Sequence, residues 1–327
     1  MGKYFEDFNI GDQFTTRGRT VIEADIMQYA GLCWDTQAEH TDAEFARRGR
    51  FGERIGQQQL GLLIAHGLIA STRVLEDTLR SVLRLGWNFF NPIKIGDTLR
   101  VKQTVSDKKD LTIDGSGVIT FQIETMNHRG ELINRCLRTV LVARRVRSEK
   151  ESDPGHYVFR GLSELKGVTD DHYVQAAGDS AAPVASGKKG QAQTKGSPQG
   201  ERSAGAEAKR RGKYFEEFEV GEELVTQART VAEADVLNYT MLSWDGDPLH
   251  TDAEYARSTP YGGVLAPLLL PIVYANGLGA TLGFLAGTNR GALGDWWEFV
   301  KPVRIGDTLH FRQVIASKHE SKVPDTG

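Results

Sequence analysis

The chain has 327 residues, enough for about two ordinary domains, and its 40 Lys and Arg nearly balance 43 Asp and Glu. That balance gives no global pull toward nucleic acid or an anionic membrane. The two cysteines, Cys33 and Cys136, form no CxxC pair, which argues against a disulfide scaffold or a zinc site and fits a reducing cytoplasm.

The amino terminus, Met1 to Asp7, lacks the apolar core of a signal peptide. Each of two related segments then opens with a short strand and a Gly-Asp or Gly-Glu turn, at Gly11-Asp12 and Gly221-Glu222. Thr20-Val21-Ile22-Glu23 has the spacing of a capping box, as does Thr230 to Glu233, and Ile22, Ile26, Tyr29 and Ala30 follow at helical spacing. A loop carries Asp35 and His40, and a second box, Thr41 to Glu44, starts a short helix. A glycine turn at Gly52 leads into a long apolar helix expected to run to about Thr72. The pattern then changes to period two: Leu99, Val101, Gln103 and Val105 share one strand face, and Ile119, Phe121 and Ile123 another. A tight turn at 127–130 and a returning strand from Glu131 to Arg145 complete the first segment. A buried helix followed by antiparallel strands predicts an α+β fold, with the sheet curled around the helix.

The chain says this twice. Gly2 to Phe8 returns as Gly212 to Phe218, and the shift of 210 holds through Asp35/Asp245, His40/His250, Trp87/Trp297, Pro92/Pro302 and Asp97/Asp307. So long a period marks a duplicated domain, because solenoid repeats run at roughly 20–50 residues. The expected organisation is a first domain at 1–150, a flexible linker at 151–211 and a second domain at 212–327. From Ala176 the linker holds Gly, Ser, Ala, Gln and Lys with little to bury, whereas Asp153 to Tyr173 keeps some Phe, Leu and Tyr for packing on the first domain. Residues 261–289 are uncharged and imitate a membrane span. The counterpart at 51–79 holds Glu53, Arg54, His66, Arg73, Glu76 and Asp77, so a buried soluble helix is expected instead. The counterparts of Val118 to Val146 do not occur in the second copy, which reads as a truncated product whose apolar helix would be left exposed.

Tyr29 to Asp42, with Trp34-Asp35 and His40, and Tyr239 to Asp252, with Trp244-Asp245-Gly246-Asp247-Pro248-Leu249-His250, resemble the hydratase-2 motif of the MaoC-like dehydratases. The segments from Trp87 to Leu99 and from Trp297 to Leu309 resemble the same family. The resemblance implies a tandem hot-dog fold in which an antiparallel sheet wraps a central helix and the two units pair sheet to sheet as an intramolecular pseudo-dimer, with further homo-oligomers open. It also implies (R)-specific hydration of trans-2-enoyl-CoA, or dehydration of 3-hydroxyacyl-CoA, with an acyl-CoA thioester as partner and no metal or organic cofactor.

The catalytic candidates are therefore Asp35 with His40 and Asp245 with His250. A carboxylate and an imidazole holding one water can take its proton and protonate the α-carbon. Amides near Gly56 and Gln57, or near Ala266, are expected to receive the charge on the thioester oxygen. Trp34 and Trp244, standing where the family has glycine, are expected to line and reshape the pocket. The first copy has Gln37 and Ala38 where the family has Asn and Pro, and Pro267 lacks an N–H. The two sites are thus expected to be unequal. His66, aligned with Asn276, reads as a satisfied core or cleft residue, and Arg47, Arg48 and Arg50 as a solvated face that could meet CoA phosphates. Competing readings are a hot-dog acyl-CoA thioesterase and a non-catalytic acyl-CoA-binding protein.

Overall fold

The computed structural model describes residues 2–113, 115–145, 212–259 and 261–320. The expected linker and its apolar first stretch lie outside these residues.

Strands β1 (Gln13–Thr15) and β2 (Arg19–Thr20) lead into helices α1 (Glu23–Cys33), α2 (Ala38–Thr41) and α3 (Ala43–Arg48). The two-residue strand β3 (Ile55–Gly56) comes next, then the central helix α4 (Gln58–Ala70). Strands β4 (Leu79–Phe89), β5 (Ile93–Lys94), β6 (Thr98–Ile113), β7 (Ser116–Met126) and β8 (Leu132–Ala143) complete the first half. The second half repeats the layout with β9 (Glu223–Val225), β10 (Arg229–Thr230), α5 (Glu233–Ser243), α6 (Pro248–Thr251), α7 (Ala253–Ser258), α8 (Leu270–Thr281), β11 (Gly294–Glu298), β12 (Thr308–Leu309) and β13 (Arg312–Val314).

The α+β expectation holds, with local corrections. The chain opens on a 3-10 turn, Phe5–Asp7, and the short strand follows Gly11 rather than preceding it. Thr20 does not cap α1. It lies in β2, its hydroxyl bonded to that of Thr98, and Asp25 instead accepts the Ile22 N–H at 2.8 Å. The second cap is Asp42, whose Oδ1 accepts the Glu44 and Phe45 N–H groups. Helix α4 starts only at Gln58, because Ile55 and Gly56 are spent pairing with Lys94 and Ile93. Strand β4 has no period-two signature to announce it. Register shifts between Leu79 and Ser81 and between Val82 and Arg84 swap the faces along it.

Helix α4 buries Leu60, Leu62, Leu63, Ile64 and Leu68 under the sheet. Each such side chain contributes roughly 1.5–3 kcal/mol. Val101, Val105, Ile119, Phe121 and Ile123 close over it from β6 and β7, on the faces the sequence indicated. Helix α8 is also buried, through Leu270, Ile272, Val273, Tyr274 and Leu278. The apolar exposure expected for α8 falls instead on and beside β11, where Leu293 and Trp296 face solvent. Among the described residues, no helix is long and apolar enough to cross a membrane.

The halves join edge to edge. One sheet runs β1-β6-β7-β8-β4-β11, so a second-half strand extends the first-half sheet. In the β4–β11 ladder Gly86 faces Trp296, its own counterpart at the 210 shift, and Arg84 faces Glu298. A local twofold therefore passes between Gly86 and Trp296. Beneath the sheet α1 packs on α5 and on α8, and α4 packs on α5. Reciprocal arginines fasten this contact. Arg19 donates to Leu242 O at 2.5 Å and to Asp25 at 2.7 Å, and Arg229 donates to Leu32 O and to Asp235, both at 2.6 Å.

Candidate active site

Each acid sits on the turn that ends the first helix of its half. Trp34 and Trp244 close α1 and α5 in the left-handed conformation, φ +72° and +67°, which redirects the chain so that the next residue points inward. Glycine is the ordinary residue there, and an L side chain costs about 1–2 kcal/mol. The indoles recover part of that cost from the other half. The Arg229 guanidinium lies 4.2 Å from the Trp34 ring and Arg19 lies 4.2 Å from the Trp244 ring. At 41% and 45% exposure these indoles cover the seam between the halves.

In the first half Asp35 and His40 are both buried. Asp35 Oδ1 accepts the Gln37 backbone N–H at 3.3 Å and its side-chain amide at 3.1 Å, so Gln37 orients the carboxylate. His40 Nδ1 lies 2.8 Å from Ile55 O. A carbonyl can only accept, so Nδ1 carries the hydrogen and Nε2 presents its lone pair. Nε2 stands 3.9 Å from Asp35 Oδ2, a separation that one water can bridge. Gln57 is buried beside the pair, its amide 3.4 Å from Asp35 O. The Asp35 N–H rests on the Cys33 sulfur at 3.2 Å, and burial pushes that thiol up to about 12, keeping it protonated. The structure thus brings Asp35, His40 and Gln57 together.

The second half shares this frame but not its contacts. His250 Nδ1 meets Leu265 O at 3.0 Å, and Ser243 Oγ replaces the cysteine sulfur, accepting the Asp245 N–H at 3.1 Å. Asp245 is engaged from across the seam by His66 of α4, whose Nδ1 approaches Oδ2 at 3.2 Å. His66 acts on this carboxylate first as a hydrogen-bonding neighbour and then through its charge. Burial alone would raise the Asp245 carboxyl, but His66, helped by His250, holds it down at about 2. At the matching place in the first half, Asn276 turns its amide back to Ile272 O at 3.1 Å.

His66, read from the sequence as a satisfied core or cleft residue, meets a carboxylate of the other half that the sequence did not indicate. Apart from the glutamines of the first turn, it is the one polar side chain of α4, and its counterpart in α8 is again polar. A carboxyl held below its ordinary pKa of ~3.9 contributes stability above that value, and the contribution is lost as pH falls toward 2. His66→Leu is therefore expected to cost on the order of 2 kcal/mol at neutral pH. It should also move the acid-unfolding midpoint upward. Acid titration of tryptophan fluorescence checks this, and superimposable curves would contradict it.

The amide assignments need correcting. The Ala266 N–H is already used, donating to Val303 O at 2.9 Å, and Gly56 lies within the β3–β5 ladder. The amides without intrahelical acceptors are those of the first turn of α4, after the Gln57 N-cap. Helix α8 begins later, at Leu270, and has Pro271 in its first turn, which removes one such donor. Arg47 pairs with Glu44 at 2.6 Å on an exposed helix face. Among the described residues, no three His, Cys, Asp or Glu side chains gather to hold a metal ion.

The MaoC like domain model matches residues 7–126 and 216–325, both halves of this frame. The chain belongs to that family. Against the mesaconyl-CoA hydratase of Cereibacter sphaeroides it is 28% identical over 148 residues, 44% of this chain and 42% of the relative. Against the (R)-specific enoyl-CoA hydratase of Rhodospirillum rubrum it is 33% identical over 97 residues, 29% of this chain and 65% of the relative. These matches cover less than two thirds of either relative. A Mycobacterium tuberculosis protein described as a double hotdog fold superposes with a TM-score of 0.65 at 18% identity, covering 100% of this chain and 89% of that one. The fold of this MaoC-like chain is accordingly a double hot-dog.

Proposed function

We propose that the chain is a hydro-lyase adding water to trans-2-enoyl-CoA, or removing it from 3-hydroxyacyl-CoA, with the principal site at Asp35 and His40. The observation that carries this reading is the 3.9 Å gap between Asp35 Oδ2 and Nε2 of His40, whose Nδ1 is engaged by Ile55 O. A water held there is polarised by two acceptors. Its oxygen bonds to the β-carbon, its proton passes to the dyad, and the dyad delivers a proton to the α-carbon from the same face. Charge that develops on the thioester oxygen is met by the first-turn amides of α4, assisted by the helix dipole. The hydratase names of the two relatives agree with this chemistry.

Incubation with crotonyl-CoA tests it. Loss of the conjugated enoyl absorbance without free thiol is the expected result. Thiol release at the same rate would favour acyl-CoA hydrolysis, and saturable binding with neither change would leave a binding protein.

A further inference from the structure

The inner face of the sheet carries polar side chains that the dyad does not use. Register sets Cys136, Trp87 and Asp295 side by side on β8, β4 and β11. One step along lie Arg138, Leu85 and Trp297, and one step the other way lie Asn134 and Phe89. Leu85, Trp87 and Cys136 belong to the buried core and Trp297 packs against it, which fixes this as the face turned toward the helices. The Trp87 indole N–H, both amide atoms of Asn134 and the Tyr29 hydroxyl are buried there without a hydrogen bond, and beside them the Trp297 indole N–H faces the Asp295 carboxylate, to which it is the one hydrogen-bonding neighbour. Buried polar atoms are ordinarily paired, so this set, with several members unpaired among the described residues, is suited to meet a polar group of a ligand.

The cluster borders the candidate dyad. Helix α4 begins between them: Gln57 reaches Asp35 O, and Gln58 reaches Ala292 O at 3.3 Å, just before β11. One turn on, a Cβ at Gly61 would stand 3.1 Å from Asn134 Nδ2. The Tyr29 hydroxyl, held in its protonated form first by burial, also feels both Asp35 and Asp295.

We propose that Asp295, with the indole N–H groups of Trp87 and Trp297, forms a subsite for an acyl chain bearing a hydroxyl group beyond its reacting carbons. The inference rests on the acyl-CoA reading of the Asp35 site. Indole N–H groups only donate and an ionised carboxylate only accepts, so the pair matches a group that does both. Burial pushes the Asp295 carboxyl up to about 6, with the nearby Trp297 N–H working against it, so it is mainly ionised in mildly alkaline buffer. A carboxylate-ended chain would meet Asp295 as a like charge, although Arg138 lies on the same face with Cys136 feeling both. The first half has Leu85 where the second has Asp295, so the subsite is single.

Calorimetric binding of pentanoyl-CoA, 5-hydroxypentanoyl-CoA and glutaryl-CoA at pH 8 tests the proposal without requiring turnover. The chain is expected to prefer the hydroxylated ligand at least ~10-fold, and Asp295→Leu to abolish that preference. Trp87→Phe, which keeps the ring and removes the N–H, should weaken the preference even if the leucine variant folds poorly. Absence of a preference, a preference for glutaryl-CoA, or a ratio unmoved by either variant would each overturn it. Hydration of pent-2-enoyl-CoA, measured in parallel, reports separately on the lyase reading.

Discussion

Asp35→Asn is expected to lower the rate of crotonyl-CoA hydration by ~10²–10⁴-fold, whereas Asp245→Asn should leave most of the activity in place. The two carboxylates differ in their engagements. Asp35 Oδ2 faces an imidazole nitrogen across a water-sized gap, while Asp245 Oδ2 is approached at 3.2 Å by His66 and has less capacity left for a water. A carboxylate held down at about 2, as Asp245 is, is a weak base. The oxyanion donors point the same way, since α4 keeps its first-turn amides and α8 has a proline among them. Initial rates for the two single variants, with thermal melts to confirm folding, decide the matter. Equal losses would show that both sites work alike.

Among glycines of the described residues, Gly277→Ala should be the most damaging added methyl. Its Cβ would fall 1.6 Å from Cys33 O, and a Cβ at Gly67 would fall 1.8 Å from Ser243 O. Both contacts are to backbone, so no rotamer relieves them and the helices must part. Overpacking of this kind costs about 3 kcal/mol or more, roughly 10 °C in Tm for a protein of this size. The effect should also be directional. Gly277 backs the turn that carries Asp35, so Gly277→Ala should depress hydration well beyond its effect on stability, and Gly67→Ala should depress it less. Differential scanning fluorimetry beside rates taken well below either Tm would reveal the contrast.

Much of the fold could be read from the chain because burial leaves a periodic trace. The face of Leu99, Val101, Gln103 and Val105 is fully buried as its alternation indicates, and the uncharged stretch at 261–289 contains a buried helix. Strand β4 was illegible for the same reason, since its bulges scramble the alternation. At the site, Asp35, His40 and Gln57 were legible because they lie close in sequence or inside a duplicated motif. The contacts made across the seam were not. His66 meets Asp245 across 179 positions and Arg229 meets Trp34 across 195, and one sequence records no such long-range pairing. Nor does position beside the acids reveal that the left-handed turn sets each tryptophan ring against an arginine of the other half.

The dyad between Gly86 and Trp296 has an evolutionary corollary. Two separate, identical chains meeting about such an axis must place the same side chain at both related positions, so any change is made twice. Covalent tandem linkage lifts that constraint. One copy can carry histidine where the other carries asparagine, or leucine where the other carries aspartate, and the partner that gives up its own chemistry can be kept as a scaffold for its neighbour's.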